Sequence, residues 1–300
     1  MAVQVVGSLH LDVVVNAPRL PRLDETLTGQ SVAYAFGGKG GNQAVAAARM
    51  GATVAMAGRV GADDFAVHLL RELDAAGVDH SGVQQDDGAS GMSAAIVDAA
   101  GDYGAVIVSA ANLRIDAQRV EINQETKILC LQNEIPEPVN LALARKARVA
   151  NVLVILNAAP ARDTQAELLE LTDILVVNRG EAAELASDAT PSEQARMLAA
   201  RTGGSVVATL GAEGLVWAEP DGNAQALAAH PVTVVSTHGA GDAFVGALAA
   251  ALDAGRALAQ ALRLAQAAAA LHVATPVDQR RAITLAAVEQ FAQTAQTGSP

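Results

Sequence analysis

A chain of 300 residues in which 51% are hydrophobic and 17% charged can build a sizeable core, which excludes wholesale disorder. The formal net charge of -12 repels phosphate backbones and excludes nucleic acid as a partner, though not a single nucleotide whose phosphates meet a local site and a metal ion. Cys130, the only cysteine, leaves no disulfide framework and no cysteine-rich zinc site, and fits a reducing cytoplasm.

From Met1 to Val6 there is neither a basic segment nor a long apolar one, so no signal peptide is expected. Residues 3–7 then read as a strand, 42–50 as a helix, 53–58 as a strand and 63–76 as a helix. The alternation resumes with a strand at 127–131, a helix at 138–150, a strand at 152–156, a helix at 163–171 and a strand at 174–177. Helices at 180–186 and 192–201, a strand at 205–210 and a helix at 241–254 complete it. Strand followed by helix, repeatedly, predicts a mostly parallel sheet covered by helices on both faces. The unbroken apolar run Val152-Leu153-Val154-Ile155-Leu156 suits a sheet buried on both sides.

Two segments break the rhythm. Residues 9–15 with 31–36, and 91–97 with 104–108, read as strands with no helix between them, the second pair joined at Ala99-Ala100-Gly101-Asp102. They predict a small β-sheet lid inserted at about 9–36 and 90–108 of a single α/β domain spanning 1–300. The tail from Thr294 to Pro300 is expected to fray. The longest apolar run, about 243–252, is far short of the roughly 20 residues that cross a bilayer, so a soluble protein with no membrane partner is expected.

Two glycine-rich turns carry the chemistry. In Ser236-Thr237-His238-Gly239-Ala240-Gly241-Asp242-Ala243-Phe244 the small residues run directly into a helix. Backbone N–H groups can crowd around an anion there, helped by the partial positive charge of the helix start. Asp242 could merely complement the helix dipole, a role worth about 1 kcal/mol at most. Beside an anion hole, however, a carboxylate supplies what phosphoryl transfer needs: one part holds charge while the other accepts a proton. The second turn is Phe36-Gly37-Gly38-Lys39-Gly40-Gly41-Asn42-Gln43-Ala44, whose plain reading is a tight turn capped by Asn42. A Walker A loop is excluded because Ala33, not glycine, stands five residues before Gly38. A dinucleotide fingerprint fails at Gln43 when started from Gly38, and at Phe244 when started from Gly239.

Together the two turns resemble the signatures of the ribokinase (PfkB-type) carbohydrate kinase family. The first runs from Gly37 through Ala44 to Gly51 and Gly61, and the second ends in Gly239-Ala240-Gly241-Asp242. Similarities between and around them fall in order: Gly7-Ser8-Leu9-His10-Leu11-Asp12, Asn157-Ala158-Ala159-Pro160-Ala161, Asn178 with Glu181, and Thr209-Leu210-Gly211. The resemblance spans roughly residues 2–273 and implies a three-layer α/β/α domain with a β-sheet lid, Mg²⁺ and ATP as cofactors, and a homodimer paired through the lid.

It also implies roles. Asp242 would take the proton from a primary sugar hydroxyl as its oxygen attacks the γ-phosphate, with the N–H groups around Gly239, Ala240 and Gly241 as anion hole. His10, Asp12, Gly38, Lys39, Asn42 and Glu134 would line the sugar pocket, the carboxylates accepting hydroxyl protons. Asn178, Thr209, Gly211 and Gly241 would contact the nucleotide, and Glu181 would position Mg²⁺ through water.

Some positions depart from the family pattern. His10 stands where an asparagine is usual, and Ser236 replaces the aspartate of a monovalent-cation loop that also includes His238. The second half of that loop reads Thr275-Pro276-Val277-Asp278-Gln279, without its usual glycine, which counts against activation by K⁺. Gly-Gly-Lys-Gly followed by Asn-Gln-Ala is most similar to ribokinases, so ribose is the first expectation. Deoxyribose, fructose, ketodeoxygluconate or a nucleoside are the alternatives, as is a sugar- or nucleotide-binding protein that has lost catalysis.

Overall fold

The apolar runs form the middle of one large sheet. In the computed structural model, which describes residues 2–100, 102–186 and 189–297, the first strands are β1 (Val3–Val6), β2 (His10–Asn16), β3 (Ser31–Gly37), β4 (Val54–Val60) and β5 (Asp79–Gln85). Next come β6 (Gly91–Val97), β7 (Tyr103–Val108), β8 (Ile128–Gln132), β9 (Leu153–Asn157) and β10 (Ile174–Asn178). The last are β11 (Ser205–Thr209), β12 (Leu215–Ala218) and β13 (Ala224–Leu227). The helices are α1 (Lys39–Arg49), α2 (Asp64–Ala75), α3 (Glu137–Ala150), α4 (Ala166–Glu170) and α5 (Arg179–Leu185), followed by α6 (Pro191–Thr202), α7 (Ala240–Asp253), α8 (Leu258–Ala274) and α9 (Leu285–Thr297).

The large sheet has the order β13-β12-β11-β10-β9-β8-β1-β4-β5. All its pairs are parallel except β11 with β12 and β12 with β13. Successive residues of a strand feed opposite faces. Ile155 and Val176 join α1, α7 and α8 side chains such as Ala47, Val245 and Leu262 in one core. Leu156 and Val177 join Leu143 of α3, Leu168 of α4 and Leu198 of α6 in the other. Small side chains allow unusually close approach. A Cβ on Gly246 of α7 would lie 2.5 Å from the Ala46 Cβ and 2.6 Å from the Gln43 carbonyl oxygen, so this glycine lets α7 touch α1.

The second sheet, of order β3-β2-β6-β7, is separate from the first. Its central pair, β2 and β6, is parallel and both outer pairs are antiparallel. Within three residues of its start β2 follows the end of β1, and β3 leads into α1, so this sheet is rooted at the carboxyl edge of the large one.

Several elements differ from the sequence expectation. The hairpin β12–β13 and the helices α8 and α9 are additional. So is β5, whose Asp79-His80-Ser81-Gly82 carries no apolar alternation because an edge strand needs none. Helix α4 is shorter than expected, and α1 begins at Lys39 rather than Asn42, so Gly38 and not Asn42 is its N-cap. Gly40 and Gly41 are poor helix formers, but Gly40 packs on Gly7 where a Cβ would come within 2.7 Å of backbone, and tertiary contact overrides propensity. Residues 294–297 continue as helix rather than fraying, while residues 298–300 and Gly101 of the predicted turn lie outside the described residues.

Candidate active site

The ends of the parallel strands and the starts of α1 and α7 meet at one edge, where open α/β sheets bind their ligands. Asp242, in the first turn of α7, is only 7% exposed. Its carboxylate accepts hydrogen bonds from Asn42 Nδ2 at 3.3 Å and Gln43 Nε2 at 3.1 Å, both from the first turns of α1. Gln43 is itself fixed from two sides. Its Nε2 also donates to Asn157 Oδ1 at the end of β9, and its Oε1 accepts from Gln132 Nε2 at the end of β8. Burial raises the Asp242 pKa to about 6, against the opposing pull of the Lys39 charge and of the two amide donors. The group is therefore ionised at neutral pH yet basic enough to accept a proton.

Glu134, just beyond β8, is tied to the first glycine-rich turn: it accepts from the Lys39 N–H at 2.8 Å and from the Ser8 hydroxyl. A free loop carboxylate would make neither contact. Asp12 on β2 accepts from Ser93 Oγ on β6, and His238 Nε2 stands 3.9 Å from its other oxygen. A Cβ on Gly37 would collide with the Asp12 carboxylate at 2.4 Å, so the glycine makes room for it. Gly38, with φ of 87°, packs its backbone against Ser8, Leu9 and His10. His10 is buried, its pKa is lowered by that burial, and its Nε2 has no partner among the described residues.

Gly239 caps α7 in the left-handed region, φ 77°, which glycine adopts without strain. The Ala240 N–H already donates to the Thr237 carbonyl at 3.2 Å, and the Ala243 N–H to Gly239. Those of Gly241 and Asp242 have no acceptor among the described residues, as the first turn of a helix leaves them. Apart from its chain neighbours and its own helix backbone, no atom lies within 4 Å of where a Gly241 side chain would begin, so space is open there. A cleft of about 520 Å³ runs here between Tyr34 and Phe36 of the small sheet, Asn42 of α1, and His238, Gly239 and Asp242.

The remaining candidates lie along the neighbouring strand ends. Asn178 and Glu181 form a reciprocal capping box at the start of α5. The Glu181 N–H donates to Asn178 Oδ1 at 2.9 Å, and the Asn178 N–H to Glu181 Oε2 at 2.7 Å. This pair therefore has a structural role of its own, although Glu181 Oε1 is left over. Burial raises the Glu181 pKa and the Lys39 charge opposes this, so one lysine acts on both Glu181 and Asp242. Thr209 donates from its hydroxyl to the Val177 carbonyl, and Gly211 turns the chain with φ of 62°. Ser236 and His238 sit in the loop before Gly239, and their carbonyl oxygens accept from the Arg280 guanidinium. Among the described residues, no three His, Cys, Asp or Glu side chains come together as metal ligands, and no helix is long and apolar enough to cross a membrane.

The resemblance implies a shared site for Asp12, Lys39, Asn42, Glu134 and Asp242 but gives no role to Ser8, Gln43, Ser93, Gln132, Asn157 or Arg280. Gln132 and Asn157 carried a usable signal, being polar residues that close all-apolar strands.

Residues 2–283 match the description of the pfkB family carbohydrate kinases. The ribokinase of Bacillus subtilis is 35% identical over 274 residues, covering 90% of this chain and 92% of that protein. The mouse ribokinase is 35% identical over 260 residues, covering 83% and 80%. The crystal structure of Thermotoga maritima ribokinase superposes with a TM-score of 0.90 at 28% identity, covering 98% of this chain and 99% of that one. The structure of Arabidopsis thaliana ribokinase complexed with ribose and ATP superposes with a TM-score of 0.87 at 29% identity, with the same coverage.

Proposed function

The chain belongs to the pfkB family and is an ATP-dependent carbohydrate kinase, and from that premise we propose that it phosphorylates the primary hydroxyl of ribose with Asp242 as base. The observation that carries this reading is the buried Asp242 carboxylate, held by Asn42 and Gln43 beside the unpaired N–H groups of α7. Asp242 accepts the hydroxyl proton while the oxygen forms its bond to the γ-phosphorus. The bond from phosphorus to the β,γ-bridging oxygen breaks, ADP departs, and the proton passes from Asp242 to solvent. The Gly241 and Asp242 N–H groups hold the charge on the transferred group. Ala240 contributes less than the resemblance implies, because its N–H is engaged by Thr237. Its place beside Gly239 keeps the turn narrow.

On the acceptor side, Asp12, Gly38, Lys39, Asn42 and Glu134 surround the sugar. Neutral His10 offers its partnerless Nε2 to a hydroxyl. Names of relatives support ribose, the Arabidopsis protein being complexed with ribose and ATP. Asn178, Thr209, Gly211 and Gly241 face the nucleotide, and the leftover oxygen of Glu181 suits a water of the Mg²⁺ that, when bound, neutralises the phosphate oxygens. Few protein ligands are needed for a metal carried mainly by phosphates and water.

The small sheet acts as a lid over the cleft. Val32 and Tyr34 on β3 and Val106, Ile107 and Val108 on β7 are about half or more exposed, and we assign these apolar strands to a homodimer contact between lids. The enzyme works in the cytoplasm, where ATP is at hand.

A coupled ADP-release assay with ATP, Mg²⁺ and a panel of sugars and nucleosides tests the reading. Ribose is expected to give the highest kcat/KM and a product phosphorylated at its primary hydroxyl. A nucleoside or hexose preferred over ribose would overturn the substrate, and tight sugar binding without turnover would overturn the chemistry.

A further inference from the structure

Three backbone carbonyl oxygens converge on the guanidinium of Arg280, which is itself only 7% exposed. Nη2 donates to the Ser236 carbonyl at 2.8 Å, Nη1 to the His238 carbonyl at 2.9 Å and Nε to the Thr275 carbonyl at 3.2 Å. Among the described residues no carboxylate pairs with it, so a buried cation is neutralised by carbonyl dipoles alone. A cage of carbonyl oxygens is also how a protein holds a monovalent metal ion, and the two uses exclude each other. The lone pairs directed at N–H groups cannot face a bare ion as well. The loop resembling a monovalent-cation site thus does not fit one in this chain.

The cage sits where it can matter to the reaction. Ser236, Thr237 and His238 lead straight into Gly239, and the Thr237 carbonyl receives the Ala240 N–H. Any shift of this loop re-aims the first turn of α7, with the Gly241 and Asp242 N–H groups. The other side of the clamp is also braced. Arg49 Nη1 lies 3.3 Å from the Arg280 carbonyl, and His272 Nε2 lies 2.9 Å from the His238 carbonyl, donating in the tautomer with its hydrogen on Nε2.

We propose that Arg280 is a built-in monovalent cation: its guanidinium clamps the 236–238 loop to Thr275, positions the start of α7 and makes the protein independent of K⁺. Arg280 lines the same cleft as Gly239 and Asp242, but its hydrogen bonds run to the loop carbonyls, so it acts through the loop as a positioning residue. The inference rests on the reading of the α7 start as the phosphate cradle only for its effect on rate; the exclusion of the ion stands on the cage.

Two measurements separate these parts. Melting temperatures in matched KCl and choline chloride are taken first, without substrate. Wild type is expected to show no stabilisation by KCl over choline, whereas Arg280→Ala, with the cage vacated, gains a K⁺-specific rise. A K⁺-specific rise in wild type would overturn the proposal whatever the protein phosphorylates. Kinase turnover in the same salts follows. Wild type is expected to run equally fast in both. Arg280→Ala is expected to lose about 10²-fold in kcat, the order a small misplacement of a catalytic group costs. Added K⁺ or guanidinium ion, but not choline, should restore part of the loss, which a merely structural defect would not allow. A wild-type rate that climbs with KCl, or a folded Arg280→Ala as fast as wild type in choline, would also overturn it. Should Arg280→Ala give no cooperative melt, Arg280→Lys replaces it and is expected to retain more activity than any neutral variant. Failure of the functional reading would look different, as no turnover in either salt.

Discussion

Replacing Asp242 by asparagine is expected to make the protein more stable at neutral pH while removing its activity. The Asp242 carboxyl titrates near 6 in the fold against 3.8 for an ordinary aspartate, chiefly because it is desolvated. The folded state therefore prefers the protonated acid. Below pH 3.8 the group costs nothing; the cost grows as pH rises towards 6 and is complete above it. Ionising this acid in place of one in the unfolded chain costs about 3 kcal/mol at neutral pH. Asparagine removes that cost but offers one oxygen to the two donors, Asn42 Nδ2 and Gln43 Nε2, so one contact is lost at about 1 kcal/mol. The net gain is about 2 kcal/mol at pH 8, a rise in Tm of roughly 3 °C for a chain of this size. At pH 4 the gain should vanish. Thermal melts of both proteins at the two pH values, beside an ADP-release assay, check this. An Asp242→Asn variant less stable than wild type at pH 8 would show that the surroundings favour the charged form and that burial does not raise the Asp242 pKa.

Lys39→Met should move the acid limb of the pH–rate profile to higher pH, since the Lys39 charge opposes the upward shift at Asp242. A limb that stays in place would show that this charge does not reach the base. Gly246→Val should lower stability by about 1–3 kcal/mol through overpacking, because its Cβ would sit 2.5 Å from that of Ala46. Activity should fall with it, as α1 carries Asn42 and Gln43 while α7 carries Asp242, and denaturant titration with the kinase assay reads both. Ile107→Lys, at a β7 position 62% exposed, should convert a dimer into a monomer by analytical ultracentrifugation without changing the fold; an unchanged sedimentation coefficient would remove the lid from the interface.

The parts of the fold that were legible are those with one dominant physical cause. Val152 to Leu156 and Ile174 to Val177 are buried on both faces, and an unbroken apolar run has no other stable place. The four strands outside the alternation were legible as a separate sheet for the converse reason, that no helix follows them. What was hidden depended on contacts distant in sequence. Gly40 packs on the Gly7 backbone and Gly41 on Phe36 and Leu9, so their place in a helix depends on distant contacts, and β5 is a strand because β4 offers an edge. The same division runs through the site. Asp242 and the two glycine turns could be read from spacing, whereas Gln43 gains its meaning from Gln132 and Asn157, 89 and 114 residues away. Arg280 was invisible for the same reason, since its partners are backbone carbonyls, which no side-chain pattern records.

The most direct test of Asp242 as the base is the pH dependence of kcat/KM for ribose phosphorylation by the wild-type protein, which reports ionisations of the free enzyme. Because a base must be ionised to accept the hydroxyl proton, the rate should rise with pH through a single ionisation near 6, the value burial imposes on Asp242. Above it the rate should level off. A rate that is already maximal well below that ionisation, or one that persists in Asp242→Asn with the same profile, would contradict the assignment of Asp242 as the base.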